Sequence, residues 1–258
     1  MTDIILCGAA GRMGRAVAAA AAMYDCRIVA GVDRIPANAE FPIVTDIDEI
    51  TIHADVILDF SHHTAVEKLI PYAKKMHIPL VVATTGHNED ELNSLNKLAK
   101  NVPVFLSRNM SLGVNLLISL CRNAASVLGE NYDIEIIEKH HNKKLDAPSG
   151  TALMLAEAIK EVRTDSEYVY DRTKERHERD KKEIGIQAIR GGNIIGEHEV
   201  MFCGNNDVIT ISHSASSREL FAEGGLRAAA FLKTKQKGLY SMKELLLEAS
   251  GKTAIGVK

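Results

Sequence analysis

The sequence has no excess of positive charge and no cysteine arrangement that would cross-link a small fold. Its 258 residues carry a formal net charge of −3, so the basic surface needed for nucleic acid is absent and we expect no such partner. The four cysteines stand far apart without a CxxC pair. This pattern excludes a disulfide framework and favours reduced, buried thiols. Any site for an anion must therefore be built locally from cations and backbone amides.

Targeting and membrane-spanning patterns are also lacking. The first residues have no basic region of the kind that opens a signal peptide, and they lead almost at once into a strand pattern. The apolar run Ala16–Met23 is far shorter than a membrane span. We therefore expect a cytoplasmic protein without a membrane partner.

Short apolar runs alternate with helical patterns in the first half of the chain. The strand patterns are Ile4–Cys7, Arg27–Val32, Val56–Phe60, Leu80–Thr84 and Val102–Leu106. The helical patterns lie near Arg12–Met23, Ala65–Met76 and Glu89–Lys100. Continuous apolar strands separated by helices predict a parallel sheet covered on both faces. The fold class is therefore α/β, with an N-terminal Rossmann-like, doubly wound sheet.

The pattern changes after Asn109. A long helical pattern, an isoleucine-rich strand and a helix starting near Pro148 come first, and three strand patterns follow after Gly-rich turns. These three are Ile184–Arg190, Glu197–Phe202 and Val208–His213. They predict a meander, and hence a second α+β domain on an open antiparallel or mixed sheet. The mixed-charge segment Asp171–Glu183 is expected to be a solvated surface loop.

A glycine-rich turn joins the first strand to the first helix. It reads Gly8-Ala9-Ala10-Gly11-Arg12-Met13-Gly14. Glycines let the backbone approach a pyrophosphate, and the helix start offers free N–H groups and partial positive charge. The GxxGxxG spacing alone is only moderately specific, because a tight turn that binds nothing needs glycine too. Its position at the opening of a βαβ unit favours a dinucleotide site.

Two side chains at the end of the second strand bear on the choice of cofactor. Asp33 lies about 20 residues beyond the glycines, where an acid bonds the adenosine ribose hydroxyls. Arg34 follows and could pair with a 2′-phosphate. NADH and NADPH both stay open, and we lean slightly toward NADH because an acid repels the extra phosphate.

Two further loops follow strands of the predicted parallel sheet. Ala83-Thr84-Thr85-Gly86 ends the fourth strand, and Ser107-Arg108-Asn109-Met110 follows the fifth. Ligands of doubly wound sheets bind at the carboxyl ends of strands near the switch point. Each loop alone would be ordinary, but their placement indicates contacts on the nicotinamide side.

One short stretch concentrates cationic and proton-exchanging side chains. It reads Glu138-Lys139-His140-His141-Asn142-Lys143-Lys144-Leu145-Asp146-Ala147-Pro148-Ser149-Gly150-Thr151-Ala152. The Pro-Ser-Gly turn opens a helix whose first N–H groups suit a carboxylate. The adjacent cations raise its affinity for anions and can donate protons. A lone histidine is more often a packed or solvated ring, but two histidines and a lysine beside such a turn indicate a catalytic site.

The same stretch matches, without a gap, the His-His-x-x-Lys-x-Asp-Ala-Pro-Ser-Gly-Thr-Ala motif of the dihydrodipicolinate reductase family, which this chain resembles. Other landmarks of that family occur in family order. They are the GAAGRMG loop, Asp59-Phe60-Ser61, Ala83-Thr84-Thr85-Gly86, Asn109-Met110-Ser111-Leu112-Gly113-Val114-Asn115, Ala188-Ile189-Arg190-Gly191-Gly192, Gly196-Glu197-His198, and His213-x-Ala-x-Ser-Arg with Phe221-Ala222. The resemblance therefore covers nearly the whole chain, and its motifs are specific.

The resemblance implies reduction of 4-hydroxy-tetrahydrodipicolinate to tetrahydrodipicolinate by NADH or NADPH, in lysine and diaminopimelate biosynthesis, by a homotetramer. In that reading His140 is the proton donor and acceptor, and Lys144 is a second proton donor. The cyclic dicarboxylate would be held by His141, Lys144, Ser149, Gly150 and Thr151. The cofactor would be lined by Gly8, Ala9, Ala10, Gly11, Arg12, Met13, Asp33, Arg34, Ala83, Thr84, Thr85, Ser107, Arg108, Asn109 and Met110. No metal is expected.

The change of pattern near Asn109 and the resemblance together predict two domains. Residues 1–109 would bind the dinucleotide, and residues 110–221 would bind substrate and form the oligomer. The tail of about 222–258 is expected to pack back on the first domain. Two residues depart from the family pattern, because Asp33 stands where members often carry glutamate and Ala83 where a glycine is common.

Three other functions compete with a reductase. A metal enzyme would use the pairs His62-His63 and His140-His141, but adjacent histidines point in different directions and no other ligand lies at suitable spacing. A short-chain dehydrogenase would use Tyr170 and Lys174, spaced YxxxK, but that pair falls in the mixed-charge segment. A dinucleotide-binding sensor would need only the glycine loop. The His-Lys-Ser-Gly-Thr stretch favours the reductase, since a sensor has no reason to carry it.

Overall fold

The computed structural model describes residues 1–35, 37–173 and 176–251. The described chain divides into two compact units. Unit 1 comprises Met1–Leu112 and the described residues from Glu219 onward, and unit 2 comprises Gly113–Arg218. Lys174, the second residue of the YxxxK pair, lies outside the described residues, as does the end of the expected tail, 252–258.

Unit 1 contains a seven-stranded sheet in which every pairing is parallel. Its strands are β1 (Thr2–Cys7), β2 (Cys26–Val32), β3 (Ile43–Val44), β4 (Val56–Asp59), β5 (Leu80–Val82), β6 (Pro103–Leu106) and β12 (Gly238–Tyr240). They lie in the order β12-β6-β5-β4-β1-β2-β3. The chain thus winds outward from β1 in both directions, which makes the β1–β4 junction the switch point of a doubly wound sheet.

Helices cover both faces of this sheet. They are α1 (Arg12–Ala20), α2 (Val66–Met76), α3 (Glu89–Leu98), α6 (Glu219–Leu232) and α7 (Met242–Ala249). Alternate residues of β1 enter different cores, Ile4 and Leu6 the core with α1 and α6, and Ile5 and Cys7 the core with α2 and α3. A strand buried on both sides needs apolar residues at every position, which explains the continuous runs of the sequence. The predicted Rossmann-like α/β fold is confirmed.

The two outermost strands of unit 1 have no counterpart in the sequence-based prediction. β3 has two residues and β12 has three, too few to give an alternating or continuous apolar pattern. β12 pairs with β6 after the chain returns through α6. The chain after α6, within the tail of about 222–258, therefore supplies both an edge strand and the helix α7.

Unit 2 is built on a five-stranded mixed sheet. Its elements are the helices α4 (Leu112–Leu128) and α5 (Gly150–Lys160) and the strands β7 (Asp133–His140), β8 (Glu167–Val169), β9 (Glu183–Arg190), β10 (Gly196–Cys203) and β11 (Val208–Ala215). The strand order is β11-β10-β7-β9-β8. β9 runs parallel to β7, whereas β10 is antiparallel to both β7 and β11.

The mixed sheet was predicted correctly, but its meander was not. β7 lies between β9 and β10, so these consecutive strands are not neighbours. The hydrophobic runs and turn residues set strand positions along the chain, but a central strand such as β7 accepts partners on both edges. Residues of β7 alternate between half-buried and buried, and Ile134 and Ile136 point into the core with Leu155 and Ile159 of α5.

α4 opens the one stretch of the described chain whose length and composition would permit a membrane span. Over Leu112–Asn131 the mean hydropathy reaches 1.3, and 22% of that window is buried. Leu117, Cys121 and Ala125 nevertheless pack into the core of unit 2. A single helix of this kind is weak support for a membrane protein, because core helices share its composition.

Arg179, in the described part of the mixed-charge segment, is held more firmly than a side chain of a solvated loop would be. The Arg179 guanidinium bonds Asp133 at 2.9 Å and Glu135 at 3.2 Å, and also the carbonyls of Ile134 and Glu183. Only 18% of the Arg179 side chain is exposed. The prediction of a freely solvated segment is therefore wrong at this position, since Arg179 ties the segment to β7.

We expect Arg179→Ala to lower the free energy of unfolding by about 2 kcal/mol, because hydrogen bonds to a charged group contribute about 1.5–3 kcal/mol and several are lost. Arg176→Ala is the matched control, since Arg176 is exposed on the same segment and surface changes stay within about 0.5 kcal/mol. Urea unfolding followed by circular dichroism measures both. Equal effects of the two substitutions would contradict the anchoring role of Arg179.

Candidate active site

The loop between β1 and α1 has the geometry of a pyrophosphate cradle. Gly8 has φ +78°, and a Cβ there would lie 2.8 Å from the carbonyl oxygen of Phe60. A Cβ on Gly14 would lie 2.2 Å from the carbonyl oxygen of Gly8. Both positions therefore require glycine, and the turn that they permit brings the backbone to the carboxyl end of β1. The residues of this loop fit a dinucleotide.

The start of α1 adds to this fit. Its N-cap is Gly11, and among the described residues no side chain caps the helix. The partial positive charge of its first N–H groups is thus left for a ligand. Asp33, directly after β2, accepts a 2.9 Å hydrogen bond from the backbone N–H of Ala10. This hydrogen bond fixes Asp33 next to the glycine loop, whereas Arg34, the next residue, is exposed.

The other predicted cofactor residues follow β5 and β6 of the same sheet. Thr84 is buried and Thr85 is exposed at the end of β5. Past β6, the Ser107 hydroxyl donates to the Asn109 carbonyl at 2.7 Å, which closes a tight turn. Because parallel strands end at the same edge, these loops join the glycine loop at the carboxyl edge of one sheet. The structure thus gathers all the predicted cofactor residues in unit 1.

A chain of polar side chains supports the Thr84 loop and was missed by the sequence reasoning. The Thr84 hydroxyl lies 3.0 Å from His87 Nε2 and 3.4 Å from the buried carboxyl of Asp59. Burial raises the pKa of Asp59. Glu91 lies 2.8 Å from His63 Nδ1 and 3.5 Å from His87 Nδ1. This chain links the ends of β4 and β5 to the start of α3.

The adjacent residues His62 and His63 have different surroundings. His62 is exposed and caps the turn before α2 by accepting from the Thr64 N–H. His63 instead faces Glu91, 28 residues further along the chain. Sequence spacing carries no sign of this contact, because it joins two separate loops.

In unit 2, the end of β7 presents the predicted acid His140. Its side chain is 11% exposed, and its Nδ1 lies 2.6 Å from Oε2 of Glu138, which is fully buried. Arg190 of β9 donates to both oxygens of Glu138, each at 2.7 Å. Burial raises the pKa of Glu138, but the hydrogen bonds from His140 and Arg190 outweigh it and bring the pKa to about 2. Glu138 is therefore a carboxylate at neutral pH.

The predicted anion-binding turn lies beside this group. Ser149 is the N-cap of α5, and its hydroxyl accepts from the Ala152 N–H at 3.2 Å and lies 3.1 Å from His198 Nε2. The Ser149 N–H donates to Glu138 at 2.9 Å. Ser149 is 2% exposed, so its polar groups act inside the protein. The exposed helix start at Gly150 is the part that a ligand can reach.

Cations surround the second histidine. Arg218 Nη2 lies 3.1 Å from His141 Nε2. Burial and then the positive charge of Arg218 lower the pKa of His141, which favours the neutral ring. The Lys144 ammonium lies 2.9 Å from the Asp146 carboxylate and lowers the pKa of that acid. The structure thus groups every predicted catalytic and substrate residue in unit 2, at the end of β7 and the start of α5.

Four residues of this site were not assigned from the sequence. Glu138 was detectable, because residues two apart on a strand point to the same face and His140 lies two positions later. Arg190 was not, since its register opposite His140 depends on the unpredicted β7–β9 pairing. His198 and Arg218 enter through β10 and the segment after β11, which the sequence places far from the cluster. Within the described ranges, no group of three His, Cys, Asp or Glu side chains is arranged to hold a metal ion.

The doubly wound sheet with its glycine loop, together with the histidine and lysine cluster of unit 2, is typical of a nicotinamide-dependent oxidoreductase. Two family models match the chain: dihydrodipicolinate reductase, N-terminus, over residues 2–110, and dihydrodipicolinate reductase, C-terminus, over residues 113–246. The chain belongs to the dihydrodipicolinate reductase family.

Individual relatives agree with this family. A 4-hydroxy-tetrahydrodipicolinate reductase of Caldanaerobacter subterraneus subsp. tengcongensis is 51% identical over 95% of this chain and 98% of its own. One from Clostridium tetani is 46% identical over 94% of this chain and 96% of its own. A dipicolinate-bound dihydrodipicolinate reductase from Paenisporosarcina sp. TG-14 superposes with a TM-score of 0.79 at 26% identity, covering 93% of this chain and 97% of its own. The predicted family, fold class and enzyme class are confirmed.

His198 gives the site a testable dependence of stability on pH. Burial lowers its pKa to about 4, below the value of about 6.5 for an unfolded histidine. The unfolded chain therefore binds the proton of this histidine more tightly than the folded chain does. The stability that comes from keeping His198 neutral is complete above pH 6.5 and is lost as the pH falls toward 4. The loss amounts to about 3 kcal/mol, since one pKa unit corresponds to about 1.4 kcal/mol.

We expect His198→Gln to flatten the fall in unfolding free energy between pH 6.5 and pH 4, measured by urea denaturation at several pH values. His53→Gln, at an exposed histidine, is the control and should keep the wild-type slope. An unchanged slope in His198→Gln would mean that His198 is not held as the neutral ring.

Proposed function

We propose that this chain reduces 4-hydroxy-tetrahydrodipicolinate to tetrahydrodipicolinate with NADH or NADPH, in lysine and diaminopimelate biosynthesis. The observation that carries the proposal is the cluster at the end of β7, where His140, His141 and Lys144 adjoin the start of α5. Relatives that match nearly the full chain carry the name of this reductase. The solved relative is bound to dipicolinate, which is a cyclic dicarboxylate of the same class.

The substrate site must neutralise two ring carboxylates although the whole protein is slightly acidic. We assign this role to His141, Lys144 and the Ser149-Gly150-Thr151 turn. The helix start supplies N–H groups and partial positive charge, and Lys144 supplies a full charge. Ser149 would act mainly by shaping the turn, because its own polar groups already bond Glu138 and His198.

The proton chemistry is assigned to His140 and Lys144. Loss of the 4-hydroxyl as water conjugates the ring with its imine, and hydride addition to that ring then leaves negative charge that a nearby acid must neutralise. His140 presents its ring at the end of β7 with Nδ1 engaged by Glu138, which leaves Nε2 to exchange a proton with substrate. Lys144, as an ammonium, is the second donor. Its contact with Asp146 holds it in place until a substrate carboxylate replaces that partner.

Cofactor binding is assigned to unit 1. Gly8, Ala9, Ala10, Gly11, Arg12 and Met13 would hold the pyrophosphate, Asp33 and Arg34 the adenosine ribose, and Ala83, Thr84, Thr85, Ser107, Arg108, Asn109 and Met110 the nicotinamide side. When bound, the nicotinamide supplies the hydride. The Asp33 carboxylate disfavours a 2′-phosphate nearby, which supports NADH as the preferred form.

The domain roles and the assembly complete the proposal. The dinucleotide belongs to residues 1–109 with the tail from about 222, and substrate binding and oligomerisation belong to residues 110–221. An eight-residue strand, β11, lies at one edge of the unit 2 sheet. Exposed strand edges favour pairing with a further copy, which supports self-association; the number of four subunits rests on the family resemblance alone. A cytoplasmic location follows from the proposed metabolic role.

One assay separates the reductase from a dinucleotide sensor. The chain is mixed with NADH or NADPH and freshly made condensation product of pyruvate and aspartate semialdehyde, and nicotinamide absorbance is followed. Substrate-dependent oxidation of the cofactor is expected. Cofactor binding without oxidation would favour the sensor and refute the proposal.

We expect His140→Ala to lower kcat by about 10²–10⁴-fold, the usual contribution of a general acid, with little change in KM. Lys144→Ala should lower kcat and raise KM, because it removes a proton donor and a carboxylate partner. Lys143→Ala, at an exposed neighbour, is the control for loop charge. Near-wild-type turnover in both His140→Ala and Lys144→Ala would overturn their assignment.

Asp33→Ala should shift the cofactor preference. We expect the wild type to have the higher kcat/KM with NADH and Asp33→Ala to lower the NADH:NADPH ratio about tenfold, as expected for loss of one good hydrogen bond near 1.4 kcal/mol. Arg34→Ala should have the opposite effect, because loss of the guanidinium should lower kcat/KM with NADPH more than with NADH. A wild-type preference for NADPH that Arg34→Ala abolishes would reverse the assignment.

A further inference from the structure

We propose that Glu138 is the positioning residue of this reductase. It orients His140 and supplies its counter-charge, and Arg190 holds that carboxylate in place and opposes its charge. The inference rests on the proposed proton-transfer role of His140. It adds two residues that touch neither substrate nor cofactor but act through the acid.

Glu138 is the most enclosed acid of the unit 2 site. It is 0% exposed, and its two oxygens receive four hydrogen bonds from three residues. A buried carboxylate is stable only when donors fill its oxygens, and leaving the group unpaired would cost several kcal/mol. The shortest of the four hydrogen bonds, at 2.6 Å, joins Glu138 to His140. We therefore infer that the buried charge of Glu138 acts on His140.

Strand geometry explains why these groups meet. Glu138 and His140 are two positions apart on β7, so both side chains point to the same face of the sheet. Arg190 is the register partner of His140 on the parallel strand β9. Its guanidinium therefore reaches back across the pair to Glu138. The three side chains are held by the backbone pairing of two strands rather than by a mobile loop.

The bond to Glu138 fixes how His140 can act. Nδ1 faces the carboxylate and carries the proton in that contact, so Nε2 is the nitrogen that gains and loses a proton during turnover. The ring also meets His198 edge-on, with centroids 5.2 Å apart. A ring held on two sides has one orientation, and proton transfer requires such alignment.

The charges around the ring oppose one another. The negative charge of Glu138 lies 2.6 Å from His140 Nδ1, and the positive charge of the Arg190 guanidinium lies 2.7 Å from the same carboxylate. Two further titratable groups interact with the His140 ring: His141, next in the chain, and His198 of β10. Lys144 and Arg218 act on His141, His213 acts on His198, and Asp146 pairs with Lys144. Removing Glu138 and removing Arg190 should therefore move the protonation of His140 in opposite directions.

Glu138 also links His140 to the predicted anion-binding turn at the start of α5. Its other oxygen accepts the Ser149 N–H at the N-cap of α5, and Arg190 donates to the Asp146 carbonyl at 2.6 Å. One carboxylate thus aligns the proton donor with the helix start that would hold a substrate carboxylate. Loss of Glu138 should affect turnover more than the binding of either ligand.

The test compares Glu138→Gln and Arg190→Met with the wild type. Glu138→Gln keeps the shape but removes the charge. We expect kcat to fall at least about tenfold with KM within about threefold, and the alkaline limb of the kcat profile to move about one pH unit lower, since a charged partner within hydrogen-bond distance shifts titration by about 1–3 units. Arg190→Met should move the same limb to higher pH. A purely structural role would lower thermal stability and leave the limb in place.

A second readout does not depend on activity. Nitrogen-15 NMR of the histidine rings, with His140 assigned from the signals lost in His140→Ala, reports which ring nitrogen carries the proton. The wild type should show an Nδ1–H ring that changes at higher pH than in Glu138→Gln and at lower pH than in Arg190→Met. Shifts in the same direction for both variants, or none, would overturn the proposal.

The outcomes also separate this inference from the proposed function. If the wild type fails to oxidise the cofactor with the proposed substrate, the function fails, while the NMR shifts still test the Glu138–His140–Arg190 group. If the wild type is active but the two variants share its pH profile and His140 spectrum, the positioning role fails and the function stands. Should Glu138→Gln not fold, the upward shift of Arg190→Met decides alone.

Discussion

A carboxylate that is buried away from solvent needs hydrogen-bond donors for its oxygens. In unit 2, two strands and a helix start provide such donors to Glu138. Glu138 is reached by Arg190 from β9, by His140 from its own strand and by the Ser149 N–H from the start of α5. If one donor moved away, the remaining charge would be left in a poorly solvated interior. The strand pairing, the turn and the ring orientation are therefore energetically coupled, and the proton transfer proposed for His140 would depend on that coupling.

The elements that sequence predicted well are those whose pattern repeats over several residues. The central strands of unit 1 carry continuous apolar runs, such as Ile4–Cys7 and Val56–Leu58, because α1 and α2 lie on opposite faces, and the helices between them are amphipathic. The edge strands of unit 1 were not predicted. β3 and β12 are too short to form a pattern, and their pairing is decided by the neighbouring strand rather than by their own residues.

The candidate site divides in the same way. The glycine loop and the His140–Thr151 stretch are local in the chain, so their residue types and order were sufficient to predict them. Arg190, Arg218 and the His63–Glu91 contact are not local. They depend on the β7–β9 register and on two loops meeting at one sheet edge, which no spacing in the sequence encodes. Contacts between residues so far apart in the chain can be predicted only once the strand order is known.

The ion pair between Lys144 and Asp146 has a consequence for ligand choice. The ammonium already has an anion beside it, so an incoming acid gains only the difference between its own contact and the one that it displaces. A monocarboxylate would exchange one such partner for another with little net gain. A ligand with two acidic groups can displace Asp146 and occupy the start of α5 at the same time. If Lys144 binds substrate as proposed, the exposed Asp146 carboxylate would make the site favour dianions over monoanions.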